Sequence, residues 1–372
     1  MSFIAGRMHQ IDASGIRKVF ALAADLKDPI NLSIGQPDFD VDDAVKDEAI
    51  AQIRAGFNKY TQTHGAETLR QAVSAYYERR FGQPLENVLI TSGVSGGLFL
   101  ALMAVVDPGD EVVFGDPYFV MYKHLVNLLG GKCVMVDTYP DFKLRAEAVE
   151  AAITDKTKLL IVNSPSNPTG VTLTRDELQS LADVANRRGV LVISDEIYEQ
   201  FHYDEPPATM AGMGDHIIVL NGFSKMAAMT GWRVGYAAGP GEVIQQMTTL
   251  QQYTFVCAPS FAQQAAVLAL EQDYEARISD YRRKRDILVS ELAPSFNLTA
   301  PGGAFYAFPE APGGDGAAFV EQAIKNNVLV IPGNVFSENN THFRISFAAD
   351  DDVIRRGVAV LNQLAEAPSV VS

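Results

Sequence analysis

The stretch Ile217-Ile218-Val219-Leu220-Asn221-Gly222-Phe223-Ser224-Lys225 joins a short apolar run, rich in β-branched residues, to a segment that carries a lysine. Such a run is typical of a strand buried on both faces, as in a parallel sheet covered by helices. Similar runs recur along the chain, separated by helical patterns. The predicted strands are 88–91, 111–114, 133–136, 159–162, 190–194, 217–220 and 234–237. The alternation predicts an α/β fold with a mostly parallel sheet of about seven strands.

The pattern of the sequence changes near residue 274. The segment Tyr281-Arg282-Arg283-Lys284-Arg285-Asp286 predicts a helix with a solvated face, because acidic residues flank its basic run. Short predicted strands follow near 304–308, 328–331 and 342–347, and a predicted helix spans 351–364. A chain of 372 residues is long for one compact core. We expect a large α/β domain at 41–273 and a smaller, discontinuous α+β domain formed by 1–40 and 274–372.

Composition restricts the classes of function. Lys and Arg number 30 against 45 Asp and Glu, which gives a net charge of −15 and disfavours nucleic acid and anionic membranes as partners. The longest apolar run, 98–106, is too short to span a bilayer, and the N-terminus lacks a signal-peptide pattern. Cys133 and Cys257 suggest neither a disulfide framework nor a metal site. We expect a cytoplasmic protein that acts on small molecules.

Polar residues follow three of the predicted strands. Asn163, Asp195 and Asn221 each stand at the carboxyl end of a strand, where open α/β sheets bind ligands. Each could be an ordinary loop residue by itself, but together they favour a site at this edge. A lysine, a carboxylate and a cation for phosphate are the groups that pyridoxal 5′-phosphate requires of a protein. In this sequence the carboxylate is Asp195, and Lys225 and Arg233 further along the chain are the lysine and the cation for phosphate.

At least six blocks of the sequence resemble, in order, spacing and residue type, the class I and II aminotransferases of the fold type I pyridoxal phosphate enzymes. The first is Leu32-Ser33-Ile34-Gly35-Gln36-Pro37-Asp38-Phe39, and the last is Phe343-Arg344-Ile345-Ser346-Phe347. The resemblance therefore covers nearly the whole chain. It implies a fold type I transferase, a pyridoxal 5′-phosphate cofactor, amino acid and 2-oxo acid substrates, and a homodimer with shared active sites.

The resemblance implies chemical roles for three residues. Lys225 would bind the cofactor aldehyde as a Schiff base and then move the α-proton of the substrate, which requires a lowered lysine pKa. Asp195, in Ser194-Asp195-Glu196-Ile197-Tyr198, would keep the pyridine nitrogen protonated; its alternative is a helix N-cap. Tyr198 would donate to the phenolic oxygen of the cofactor. Asn167, in Ser166-Asn167-Pro168-Thr169-Gly170, would contact the same oxygen, although a plain turn is the alternative there.

The cofactor phosphate would be bound mainly at a glycine-rich segment. Residues 91–97 lead from a predicted strand into an apolar helix, and backbone N–H groups at such a start bind anions. A tyrosine from the neighbouring subunit would complete the site. The implied phosphate ligands are Ser95, Gly96, Ser224 and Arg233, with Tyr60 from the second subunit.

Two positions depart from the pattern of many relatives. Gly222 stands where they carry a serine, so one of their phosphate ligands is not matched here. Phe119 stands where they often carry tryptophan or tyrosine against the pyridine ring. Stacking needs only a π face, so phenylalanine suffices. Tyr118 or Tyr122 could exchange roles with Phe119, and core packing is the alternative.

The resemblance also implies a substrate subsite. Arg344 would bind the α-carboxylate through its planar fork. Alternation in 342–347 places Arg344 on the face opposite Phe343, Ile345 and Phe347, as expected if it points into a cleft; an exposed strand arginine is the alternative. Gly35 would let the N-terminal segment approach the substrate, and Asn167 would lie beside it.

These implications favour an aminotransferase that works by a ping-pong mechanism. An L-amino acid gives its amino group to the cofactor, and a 2-oxo acid, expected to be 2-oxoglutarate, removes it. A C–S β-lyase would share the same site and is the alternative. A non-catalytic, cofactor-sensing regulator is less favoured, because the first block begins at residue 32 and leaves little room for a DNA-binding module. Ser95 stands where some aspartate-specific relatives carry a lysine. A neutral or aromatic amino donor is therefore as good a hypothesis as aspartate.

Overall fold

A computed structural model of the chain describes residues 3–12, 15 and 26–366. Most of its strands belong to one large sheet. The strands are β1 (Ile30–Asn31), β2 (Leu89–Thr91), β3 (Glu111–Asp116), β4 (Lys132–Asp137), β5 (Thr157–Asn163), β6 (Leu191–Asp195), β7 (Ile217–Gly222), β8 (Gly235–Ala238), β9 (Tyr306–Ala307), β10 (Val328–Leu329), β11 (Ile331–Pro332) and β12 (Phe343–Ser346).

The helices cover both faces of that sheet and continue to the end of the described chain. They are α1 (Asp43–Arg54), α2 (Glu67–Phe81), α3 (Gly93–Val105), α4 (Met121–Leu128), α5 (Ala146–Ala152), α6 (Arg175–Arg188), α7 (Gly241–Gln252), α8 (Ser260–Ala269), α9 (Glu275–Leu292), α10 (Gly316–Lys325) and α11 (Asp351–Glu366). In the parts of the chain described, no helix combines the length and the apolar character needed to cross a membrane.

The large sheet has seven strands in the order β2-β8-β7-β6-β5-β3-β4. Five strands, which lie side by side in the order β7-β6-β5-β3-β4, pair in parallel. The strand β8 runs antiparallel to both of its neighbours, β7 and β2. All seven strands predicted from the apolar runs are confirmed, with ends that differ by at most two residues. The register sets Asn163 of β5 opposite Asp195 of β6, and Asp195 opposite Leu220 of β7. The polar strand ends therefore meet at one edge.

Both faces of the central strands are buried, which explains their continuous apolar sequence. In β5, Leu160 and Val162 pack into one core, while Leu159 and Ile161 pack into a second core on the opposite face. Each such side chain stabilises the fold by about 1.5–3 kcal/mol relative to an exposed one. The sheet is thereby fixed between two helical layers, and its carboxyl edge is a rigid base for a site.

The C-terminal part of the chain forms smaller sheets. The strands β11, β12 and β9 make a three-stranded antiparallel sheet, and β1 pairs in parallel with β10. The short strands predicted near 304–308, 328–331 and 342–347 correspond to β9, to β10 and β11, and to β12. The division into domains after residues 40 and 273 remains our proposal.

The basic helix α9 differs from its prediction. We expected a solvated basic face, but Lys284 and Arg285 are buried. Lys284 forms ion pairs with Asp38 and Asp280, and Arg285 pairs with Asp204. A buried charge is tolerated when acidic partners and hydrogen bonds compensate its loss of water. The prediction was wrong because the partners Asp38 and Asp204 are distant in sequence and come close only in the folded chain.

Close backbone packing joins β7, β8 and the start of α3. Gly222 pairs with Gly235 across the two strands. A Cβ atom on Gly222 would lie 2.8 Å from the Cα of Gly235, and one on Gly235 would lie 2.6 Å from the carbonyl carbon of Gly93. Glycine at 222 therefore has a packing reason, since the structure leaves no room there for the serine side chain expected from relatives.

We expect Gly222→Ala to destabilise the protein by about 1–3 kcal/mol, the usual cost of forcing extra atoms into a packed region. Chemical denaturation followed by circular dichroism measures the change. Gly231→Ala is the matched control, because a Cβ there meets no atom within 4 Å. Equal stability of the two variants would contradict this packing account.

Candidate active site

A cavity of about 300 Å³ lies at the carboxyl edge of the large sheet. All the residues expected at the site line it, except Gly96 and Tyr60. They are Gly35, Ser95, Phe119, Asn167, Asp195, Tyr198, Ser224, Lys225, Arg233 and Arg344. Parallel strands end at the same edge, so loops that are far apart in sequence converge there.

The two exceptions have different positions. Gly96 is buried in the first turn of α3, and the neighbouring Ser95 reaches the cavity instead. Tyr60 is 82% exposed and lies away from the cavity within one chain. Its expected role concerns a second subunit, and it remains a prediction.

Lys225 follows β7 and presents its amine to the cavity. Its Nζ donates a hydrogen bond to the carbonyl oxygen of Gly35 at 2.6 Å. Burial, followed by the charges of Arg344 and Arg233, lowers the pKa of Lys225 to about 8, whereas Asp195 acts in the opposite direction. A lysine tuned in this way can give up and take back a proton near neutral pH.

Asp195 ends β6 and is buried. A turn follows it and not a helix, so the N-cap alternative is wrong. Burial raises the pKa of Asp195 to about 6, while hydrogen bonds from Tyr122 and the Ile197 backbone and the charge of Lys225 favour the carboxylate. The Tyr122 hydroxyl donates to Oδ2 at 2.7 Å. The protein thus holds a carboxylate deep in the cavity wall.

Tyr122 has a function other than the one considered from the sequence. It was an alternative to Phe119 for ring stacking, but its hydroxyl binds Asp195 and Phe119 lines the cavity. Phe119 lies three residues before Tyr122, and the two rings meet edge to face at 5.7 Å. The Tyr122 backbone N–H donates to the Phe119 carbonyl oxygen at 3.0 Å, so a turn at the start of α4 brings the two side chains together.

Arg344 is 1% exposed, so the alternative of an exposed strand arginine is wrong. Its Nη1 donates to Asn167 Oδ1 at 3.0 Å and its Nη2 to the Ser33 carbonyl oxygen at 2.8 Å. The rings of Tyr306 and Phe336 lie 4.5 and 4.6 Å from the guanidinium carbon. Within the described chain, Nε has no hydrogen-bond partner and no carboxylate pairs with this cation. The arrangement suits an anionic ligand.

A second cationic corner is built around Arg233. Its Nη1 donates to the Thr230 carbonyl oxygen at 2.9 Å, and its Nη2 to the Ser92 carbonyl oxygen at 3.2 Å. Gly93 has a φ of +68°, and a Cβ there would lie 2.4 Å from Arg233 Nη2, so only glycine leaves space for the guanidinium group. Ser224 and the start of α3 adjoin this corner. Hydroxyls, a cation and a helix N-terminus together suit a phosphate group.

Three polar residues at the cavity had no assigned role in the sequence analysis. Asn163, noted only as a strand-end residue, accepts a hydrogen bond from the Asn167 backbone at 3.0 Å. Thr230 and Tyr306 also line the cavity. The sequence pattern gave no signal for these two, because neither stands in a motif that we could identify.

Comparisons with known proteins give the family. A model of the family described as "Aminotransferase class I and II" matches residues 27–361. The Bacillus subtilis (strain 168) protein YugH is 38% identical, with 96% of this chain and 97% of the relative covered. The Thermococcus litoralis protein "Aromatic-amino-acid aminotransferase 2" is 36% identical, with 93% and 94% covered.

Solved structures agree with this result. A double mutant of Thermus thermophilus aspartate aminotransferase superimposes with a TM-score of 0.93 at 34% identity, covering 98% of this chain and 100% of that one. The fold type I architecture expected from the sequence is confirmed. The chain therefore belongs to the class I and II aminotransferases and has the fold of an aspartate aminotransferase.

Proposed function

We propose that this aminotransferase uses pyridoxal 5′-phosphate to move the amino group of an L-amino acid to a 2-oxo acid, by a ping-pong mechanism with 2-oxoglutarate as acceptor. The observation that carries the proposal is the common cavity of Lys225, Asp195, Arg233 and Arg344. It combines an amine of lowered pKa, a buried carboxylate and two separate cations. Family membership supports the class of reaction.

The residues present fit the cofactor in charge and in chemistry. Lys225 would hold its aldehyde, Asp195 its ring nitrogen, Tyr198 its phenolic oxygen and the Arg233 corner its phosphate. When bound, the cofactor supplies an electron-withdrawing ring that stabilises negative charge on the substrate Cα. Phe119 lines the same cavity and has the flat apolar face that stacking on such a ring requires.

The substrate would be oriented by Arg344. The rings of Tyr306 and Phe336 lie close to its guanidinium group, and its Nε has no hydrogen-bond partner among the described residues. A planar fork fixes both oxygens of a carboxylate and so sets the direction of the Cα–H bond. Lys225 is the group that would take the proton from Cα, because its pKa of about 8 allows exchange near neutral pH.

The cations of the cavity bear on the choice of amino donor. Among the described residues that line the cavity, the cations are Lys225, Arg233 and Arg344, and each has a proposed role. A distal carboxylate of aspartate or 2-oxoglutarate would thus need a further polar group, such as Ser95 or one from a second subunit. We propose neutral and aromatic amino acids alongside aspartate as donors.

We also propose a cytoplasmic homodimer. The two cysteines, Cys133 and Cys257, are unpaired, as in proteins of reducing compartments. Tyr60 is largely exposed in one chain, and its side chain is therefore available to a second copy. In this arrangement Tyr60 of each subunit would bind the phosphate held by the other.

A panel of amino donors incubated with cofactor and 2-oxoglutarate tests the reaction. Glutamate formation that depends on the donor supports transamination. Pyruvate and ammonia from a cysteine conjugate, without glutamate, would instead show a C–S β-lyase and refute the proposal.

We expect Lys225→Ala to lower turnover by about 10²–10⁴-fold or more, because it removes both the amine that binds the cofactor and the proton carrier. Circular dichroism should show an unchanged fold. The control is Lys158→Ala, which removes an exposed lysine of β5 and should leave the rate unaltered. Near-normal activity of the Lys225 variant would refute the assignment.

We expect Tyr122→Phe to move the acid limb of the pH dependence of kcat/KM upward by about half to one pH unit. The Tyr122 hydrogen bond lowers the pKa of Asp195, so its loss raises that pKa and the carboxylate is protonated earlier as pH falls. Tyr118→Phe is the matched control, since the Tyr118 hydroxyl donates to Glu338 instead. The same acid limb in both variants would show that Tyr122 does not tune Asp195.

We expect Tyr60→Phe to raise the dissociation constant of the cofactor about threefold to tenfold, the effect of losing one hydrogen bond to an anion. Stability should not change, because the side chain is exposed. Tyr253→Phe, at a tyrosine that is 84% exposed, provides the comparison. An unaltered dissociation constant would count against the contact between subunits.

A further inference from the structure

Tyr306 is a cavity residue whose place is fixed by the small antiparallel sheet. It begins β9, where its backbone pairs with Ser346 of β12, two residues after Arg344. The side chain is 1% exposed and lines the cavity. A strand of the small sheet thus places one phenol at the cavity.

Tyr306 contacts both residues proposed to bind the cofactor oxygen and the substrate. Its hydroxyl oxygen lies 2.9 Å from that of Tyr198. The face of its ring lies 4.5 Å from the guanidinium carbon of Arg344. A Cβ atom on Gly35 would lie 2.8 Å from the Tyr306 hydroxyl, so the glycine leaves room for this phenol.

One hydrogen bond joins the two phenols, and its direction depends on which hydroxyl has a proton left to donate. Burial raises the pKa of both Tyr198 and Tyr306, so each hydroxyl keeps its one proton near neutral pH. Within the described chain the Tyr306 hydroxyl makes no other hydrogen bond. If Tyr198 gives its proton to the phenolic oxygen of the cofactor, the proton in the 2.9 Å contact must come from Tyr306.

We propose that Tyr306 is a positioning residue that donates its proton to the Tyr198 oxygen, so that the Tyr198 proton points to the phenolic oxygen of the cofactor. The inference rests on the proposed function, because it needs that oxygen as the last acceptor. A hydroxyl that accepts one hydrogen bond becomes a better donor in the next, so Tyr306 strengthens the contact without touching the cofactor.

The expected consequence is a change in a protonation equilibrium of the bound cofactor. A donor to the phenolic oxygen stabilises its anionic form, and the proton shared with the Lys225 nitrogen then leaves at lower pH. Without Tyr306 the donor is weaker, and the midpoint of the cofactor absorbance titration rises. We expect Tyr306→Phe to raise it by about half a pH unit, roughly a threefold change in the equilibrium.

The experiment is a spectrophotometric pH titration of four holoenzymes: wild type, Tyr306→Phe, Tyr198→Phe and the double variant. Phenylalanine keeps the ring that packs on Arg344, so only the hydroxyl is tested. Tyr198→Phe should shift the midpoint further than Tyr306→Phe. In the double variant, loss of the Tyr306 hydroxyl should shift the midpoint no further than Tyr198→Phe alone. A residue that acts through the Tyr198 hydroxyl has no effect once that hydroxyl is gone.

Tyr274→Phe is the matched control, since this buried hydroxyl donates to the Ala269 carbonyl oxygen at 3.0 Å and does not line the cavity. It should leave the midpoint unchanged. An unshifted midpoint in Tyr306→Phe, or additive shifts in the double variant, would overturn the inference. A changed KM alone would overturn it as well, in favour of direct substrate contact. A wild-type protein that develops no cofactor absorbance would instead refute the proposed function, and this inference with it.

Discussion

The site depends on keeping opposite charges out of bulk water at one edge of a rigid sheet. Lys225, Asp195 and Arg344 would each be more stable in water if no partner compensated their burial. The parallel register that sets Asn163 beside Asp195 holds the carboxylate in place, and hydrogen bonds from Tyr122 and the Ile197 backbone maintain its charge. The two apolar cores around the strands provide the rigidity that this arrangement requires.

Much of the fold could be read from the sequence because its strands are buried on both faces. Such strands are continuous apolar runs, and their polar carboxyl ends identify the ligand edge without knowledge of tertiary contacts. Asp195 stands at such a strand end, whereas Lys225 and Arg344 were identified from sequence blocks that resemble those of the class I and II aminotransferases. Their common position on one cavity is a property of the topology, which the order of the elements already suggested.

Other features could not be predicted, because they depend on which groups meet in three dimensions. Tyr122 was considered only for ring stacking and Tyr306 had no predicted role, and only the folded chain shows what their hydroxyls bind. The buried charge of Lys284 has the same origin, since its partner Asp38 is 246 positions away in sequence. A local pattern records hydrophobicity and backbone preference, but it does not record a hydrogen-bond partner on a remote strand.

The N-terminal segment that carries Ser33 and Gly35 acts as an internal competitor for ligands. Its two carbonyl oxygens accept hydrogen bonds from Lys225 and Arg344, and a ligand that takes those same N–H groups exchanges with the backbone. The affinity of such a ligand would then be set by the difference between two sets of contacts. For a ligand of this kind, binding and release of the segment would be thermodynamically linked, and each would favour the other to the same extent.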